Sequence, residues 1–287
     1  MLSKINAGAL SGIDAYRVTV EVSVTTGTKY YIVGLPDTSI RESFQRIDSS
    51  LKNNQFRMPR QKILVNLAPA DIRKEGSAFD LSIAAGILAC TEQWEFKAFQ
   101  DYLIMGELSL SGDIKPIKGV LSLAIMARGL GLKGLIIPSA NIQEASIVSD
   151  LDIIGVDNIS NFHNLGLKQG QRNHPPVLSS EIHMPYPLDF AEVNGQGDIK
   201  RALEVACAGG HNILLIGPPG SGKSMLSKRV PGILPPMNLF EAIQSTQIHS
   251  VKGLGNATGL LKQRPFRSPH HSISDIALAG GVKNKRK

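Results

Sequence analysis

Between residues 212 and 230 the chain reads NILLIGPPGSGKSMLSKRV, an apolar run, a loop of three glycines and two prolines, and then a helix-forming segment. No other stretch restricts the fold as strongly. NILLIG has no polar residue after its first, the pattern of a strand buried on both faces, and such strands belong to sheets covered by helices on each side. The loop Gly217-Pro218-Pro219-Gly220-Ser221-Gly222-Lys223-Ser224 fits G-x-x-x-x-G-K-[ST] between a strand and a helix. Glycines let the backbone curl until successive N–H groups point inward, and the start of the next helix adds unpaired donors and the positive end of its dipole. Lys223 supplies a charge that reaches β- and γ-phosphates, and the Ser224 hydroxyl is placed to ligate magnesium. These eight residues are the candidate nucleotide-binding site, with a nucleoside triphosphate and Mg2+ as the expected ligands and Ser224 as the metal-contacting residue.

Hydrolysis needs more than a grip. An NTPase of this kind carries an acidic residue at the end of a second apolar strand, which holds magnesium and positions water. After Ser224 no four apolar residues are followed by Asp or Glu; NLFEA and ISDIAL come nearest. Only 63 residues follow Ser224, too few for the further strands of such a core. The expectation is therefore nucleotide binding in an incomplete P-loop domain with no catalytic residue assigned.

The remainder of the 287 residues divides into two blocks. GLKQGQRNHPPVLSSEIHMPYP, residues 166–187, holds four prolines and no apolar periodicity, and reads as a linker. It separates an N-terminal domain, 1–165, from the domain 188–287. In the first block YRVTVEVSV alternates like a strand and TTGTK turns into a second strand, YYIVGL. Ile40, Phe44, Ile47 and Leu51 keep helical spacing across 39–52. KILVNLAPAD is a buried strand, SAFDLSIAAGILAC an apolar helix, and DYLIMGELSLSGDIKPI a hairpin turning at Ser111-Gly112-Asp113. GVLSLAIMARGL (helix), GLIIP (strand), a short helix near Ile142–Val148 and DIIGV (strand) complete an α/β or α+β domain. In the second block Ile199, Leu203 and Cys207 form a stripe on a helix stopped by Gly209-Gly210.

Composition narrows the class of protein. No apolar run approaches the roughly 20 residues that span a bilayer, and the N-terminus lacks a secretory signal. Cys90 and Cys207 each lie among small apolar residues, the setting of reduced buried thiols, so a cytoplasmic location is expected. Net charge is +7, concentrated in KNKRK at 283–287 and RPFRSPHH at 264–271. That balance admits a polyanion such as nucleic acid as a partner without establishing it. Arg57, Arg60 and Lys62 read as solvated, and the pair His270-His271 lacks a Cys, Asp or Glu at metal-ligand spacing.

DFAEVNGQ, ALEVACAGGHNILLIGPPGSGKS and RPFRSPHHSISDIAL together resemble the magnesium-chelatase-like AAA+ proteins of bacteria, the YifB/ComM competence group. The resemblance covers residues 1 to about 280. It implies an N-terminal domain similar to the proteolytic domain of Lon and to ribosomal-protein-S5-like α+β folds, followed by an incomplete AAA+ P-loop α/β domain. Family members are homo-hexameric ATPases, and the competence members are described as DNA branch-migration helicases. Their AAA+ module continues through an acidic magnesium-binding strand, a sensor, an arginine finger and a helical lid. The resemblance thus implies ATP hydrolysis for the complete protein, and a truncated or frameshifted chain here.

Two alternatives stay open at this point. One is a serine peptidase of the Lon type. The Lon stretch K-D-G-P-S-A maps onto Lys74 to Phe79 and puts Ala78 at the nucleophile, with Ser77 one residue early. The lysine-bearing stretch maps onto Pro116 to Leu121, with Leu121 at the base position and Lys118 displaced by three. The other is a module that binds DNA or a partner protein without nucleotide chemistry.

Overall fold

The computed structural model describes residues 1–168, 186–254 and 259–278, with side chains described to residue 165 in the first span. The chain forms two compact units. One gathers the described residues of Met1–Ser180 together with those of Ile243–Leu260; the other gathers those of Glu181–Ala242 and Leu261–Lys287. The basic run 283–287 and most of the stretch 166–187 lie outside the described residues.

The first unit is a mixed α/β structure built on a seven-stranded sheet. Its strands are β1 (Leu2–Ser11), β2 (Asp14–Thr25), β3 (Tyr30–Val33), β4 (Lys62–Ala68), β5 (Tyr102–Ile104), β8 (Gly134–Pro138) and β9 (Asp152–Val156), in the order β3-β4-β2-β1-β5-β8-β9. A two-stranded hairpin, β6 (Glu107–Leu108) and β7 (Ile114–Lys115), stands apart. β1, β2 and β4 pair antiparallel, whereas β3, β5, β8 and β9 join by parallel pairings. Alternation on β2 buries Val18, Val20, Val22 and Val24 under α3, while Arg17, Thr19, Glu21 and Ser23 lie on the other face, which α4 covers where it reaches Gly8 of β1.

The covering helices are α1 (Thr38–Arg41), α2 (Ser43–Asn53), α3 (Asp80–Cys90), α4 (Val120–Gly129) and α5 (Ile142–Ala145). The helix expected over 39–52 is present but interrupted at Glu42, which caps one piece and starts the next. α3 is buried nearly all round and lies directly on β1 and β2, which its apolar sequence anticipates. The approach is closest at Gly86, where an added Cβ would stand 2.4 Å from Val22 Cγ2. A β-branched neighbour has little rotamer freedom with which to retreat. Gly86→Ala is accordingly expected to cost about 1–3 kcal/mol by overpacking, measured as a lower urea midpoint at an unchanged m-value.

Three features differ from the sequence expectations. β1 carries no strong strand signal, because its inward positions are Ser3, Ile5, Ala7 and Ala9, small enough to let the helices close in. β2 and β3 do not form a hairpin: β4 enters between them and pairs with both. Tyr102–Ile104 joins the main sheet beside β1 and β8, so the expected hairpin is confined to β6 and β7.

The second unit contains α6 (Gly197–Gly209), α7 (Lys223–Ile233), the first residues of α8 (Leu239–Lys252) and α9 (Asp275–Leu278). Its core is Phe190, Val193, Leu203 and Leu226, with Val230 and Ile233 packed against them. Leu226, Val230 and Ile233 recur at i, i+4 and i+7, one face of α7. On α6, Leu203 is buried as expected and Ala206 beside it, but Ile199 is exposed and Cys207 only half-buried. The buried strand expected over NILLIG is corrected: the segment is assigned no strand, and Leu214 and Ile216 are 81% and 88% exposed. A strand exists through hydrogen bonds to neighbours, and among the described residues none pairs with 212–216.

Candidate functional site

The phosphate loop follows the largely exposed segment 212–216 and closes on α7. Gly220 and Gly222 sit at φ +82° and +81°, left-handed values that an L side chain rarely adopts. Pro218 and Pro219 have fixed φ and no N–H, so the loop's donors come from the residues after them. The Pro218 carbonyl accepts from the Ser221 hydroxyl at 2.9 Å and from its N–H at 3.4 Å, closing the turn. Gly217 is tight against the same side chain, since a Cβ there would stand 3.2 Å from Ser221 Oγ.

Lys223 is the first residue of α7, with left-handed Gly222 as its N-cap. Its Nζ lies 2.8 Å from Gly217 O, 2.6 Å from Pro218 O and 3.0 Å from Ser221 Oγ. The ammonium group therefore hangs over the loop, held by neutral acceptors and, among the described residues, by no carboxylate. Ser224, next on the helix, is exposed. The eight residues named from the sequence are thus brought into one turn at one helix start.

Sequence reasoning missed what braces this turn. Gln196, a non-glycine residue at φ +55°, caps α6, and its side-chain amide donates to Ser221 O at 3.4 Å. Arg229, on α7, donates to Asp189 O at 2.8 Å, to Met225 O at 3.1 Å and to Glu192 Oε2 at 2.5 Å, tying the helix to the preceding segment. Gln196 falls inside DFAEVNGQ, but nothing in its spacing reveals a contact 25 residues away.

The other candidates are placed as follows. In the second unit Arg264 pairs with Glu241 at 3.0 Å and donates to Pro235 O, while the rings of His270 and His271 lie 4.0 Å apart, tilted by 39°, on the surface. Among the described residues no three His, Cys, Asp or Glu side chains gather at metal-binding distance. In the first unit the Ser77 hydroxyl donates to the Glu107 carboxylate, not to a lysine. Leu121 is buried, with its N–H on Glu144 Oε1. Neither half of a Ser–Lys dyad is assembled. Beside Ser77 lies a buried ion pair: Arg46 Nε and Nη2 donate to Asp80 at 2.6 and 3.0 Å, and Asp80 also accepts from the Leu108 N–H. Burial pushes the Asp80 carboxyl up to about 6 against the pull of Arg46, while Asp80 raises the guanidinium. Cys90 is buried, and no helix among the described residues is long and apolar enough to cross a membrane.

A glycine-bent loop that delivers a lysine to a helix start is the device of the phosphate-loop proteins. Two family models match the chain, that of subunit ChlI of Mg-chelatase over residues 20–141 and that of magnesium chelatase, subunit ChlI, over residues 189–287. The competence protein ComM of Haemophilus influenzae is 39% identical over 98% of this chain and 56% of its own length. YifB of Salmonella typhimurium is 37% identical over 98% of this chain and 55% of its own. An archaeal Lon protease from Pyrococcus abyssi is 28% identical over 42% of this chain and 12% of its own length, a partial similarity. The chain belongs to the magnesium-chelatase ChlI-like family, in the group that YifB and ComM represent. It spans about half the length of these curated relatives.

Proposed function

We propose that this chain binds ATP with Mg2+ through Gly217–Ser224, and that it is the nucleotide-gripping part of a AAA+ ATPase. One observation supports this reading: two left-handed glycines bend the loop and set Lys223 at the first position of α7, with its ammonium group over the loop's own carbonyls. In this reading 188–287 is the start of the AAA+ domain, and 1–165 is a Lon-like domain that scaffolds or contacts substrate. The family resemblance implies DNA as the substrate of the whole protein and a hexamer as its working state. In this reading hydrolysis is an activity of the whole protein, since the chain spans about half the length of its curated relatives.

Ser224 supplies the test of the metal's part. In equilibrium dialysis, magnesium is expected to tighten ATP binding to the wild type about tenfold, the weight of one charge-assisted contact. Ser224→Ala should bind ATP alone as the wild type does and lose the magnesium increment. Equal increments in both proteins would take Ser224 out of the site.

A further inference from the structure

The first unit carries an open strand edge set in a groove. Met1 and Val24 exchange two backbone hydrogen bonds, Met1 N to Val24 O at 3.0 Å and Val24 N to Met1 O at 3.1 Å. With that register, Ser3 and Ile5 also bond to β2, and the N–H and C=O groups of Leu2 and Lys4 point the other way, toward β5. But β5 is only three residues long and meets β1 at a single position, Asn6 opposite Leu103. Before it, the chain turns aside through residues 96–101, and Gln100 O takes the Asn6 side-chain amide at 2.7 Å. Leu2 and Lys4 are left without a backbone partner among the described residues.

The space they face is a groove of about 1130 Å³, at the upper end of small-ligand clefts. Ala89, Trp94 and the start of β1 line it, together with Arg17, Thr19 and Glu21 of β2. Another wall is the 92–101 segment, which carries Glu92, Glu95 and Asp101 against Lys97. None of those three carboxylates forms an ion pair among the described residues. Lys4 is paired with Glu21 at 3.3 Å, while Arg17, bonded to the neutral Asn6 amide, and Lys97 keep their charge, so unpaired carboxylates outnumber unpaired basic side chains by three to two.

We propose that this groove receives an extended, lysine- or arginine-bearing peptide from a partner protein, added to β1 as an extra strand. Donors and acceptors alternating at strand spacing are matched by another backbone in extended form. The unpaired carboxylates favour a cationic side chain on the face turned to the 92–101 wall. A second copy of this chain fits less well, because two-fold pairing would bring like-charged walls together.

The probe is an acetylated, amidated octapeptide of alternating valine and lysine, titrated into the full chain by fluorescence anisotropy. Saturable binding is expected, with slowed amide exchange at Leu2 and Lys4. Lys4→Pro removes only the groove-facing donor and spares the β2 ladder, so it should weaken binding at least tenfold, while Lys4→Ala, which keeps the N–H, should not. The double variant Glu92→Lys/Glu95→Lys should weaken it equally, and it carries the test if Lys4→Pro does not fold. Absence of binding up to about 1 mM peptide, or binding indifferent to every variant, would overturn the proposal. So would protection of Leu2 and Lys4 that appears without peptide and grows with dimer formation in sedimentation, which would make a second copy the occupant.

Discussion

Lys223→Ala is expected to lower ATP affinity at least 100-fold while leaving thermal unfolding unchanged. The ammonium group rests on Gly217 O, Pro218 O and Ser221 Oγ, neutral acceptors that phosphate oxygens outcompete. Hydrogen bonds to charged groups contribute about 1.5–3 kcal/mol each, and two phosphates within its reach make about 3 kcal/mol or more, or two decades of affinity. The variant keeps the core of Phe190, Val193, Leu203 and Leu226, to which Lys223 contributes nothing. A filter-binding assay with labelled ATP, run beside a melting curve, separates the two effects. A variant that binds within threefold of the wild type would remove Lys223 from the site.

The second large effect belongs to the first unit. Arg46→Met is expected to destabilise it by about 3 kcal/mol at pH 7.5, because Asp80, 1% exposed, is left as an unpaired buried charge. The cost should shrink toward pH 5, where Asp80 takes up a proton instead. The wild type has its own pH dependence at this residue. Asp80 holds its proton up to about 6 in the folded state, against 3.8 for an ordinary aspartate. Between those values the folded state binds more protons than the unfolded one, so stability falls as pH rises. The contribution is fully present below about pH 4 and lost above about pH 6, with an amplitude on the order of 2–3 kcal/mol. Asp80→Asn cannot titrate, so the difference between its urea-unfolding profile and that of the wild type isolates this carboxyl from others. Glu21 and Asp113, held low by hydrogen bonds, have the opposite slope at lower pH and are common to both proteins. Parallel profiles from pH 4 to 7 would show that Asp80 is ionised throughout.

The helices and the inner parallel strands were legible in the sequence because each is a local statement. Ile40, Ile47 and Leu51 declare one helix face, and GLIIP and DIIGV are short apolar runs between turn residues. The order of the strands was not legible, since it is decided by which partner reaches β2 first, and that partner is β4, entering from 37 residues downstream of Thr25. β1 was hidden for a different reason: its small residues give little periodic signal, yet they are what allows α3 to lie close at Ser3 on one face and α4 at Gly8 on the other. At the loop, glycine, lysine and serine announce their own backbone demand, so Gly217–Ser224 could be named outright. The brace from Gln196 could not, because it depends on where α6 starts. NILLIG shows the limit of pattern reading most clearly. Its composition specifies a buried strand, but composition supplies no neighbour to bond to, and the segment is exposed.

Isothermal titration of ATP·Mg2+ into the full chain at neutral pH, on protein verified as folded by circular dichroism, tests the phosphate seat most directly. Saturable heat at one site per chain, absent from Lys223→Ala, is the predicted result. A folded wild type that gives no saturable heat with ATP, ADP or GTP would contradict it.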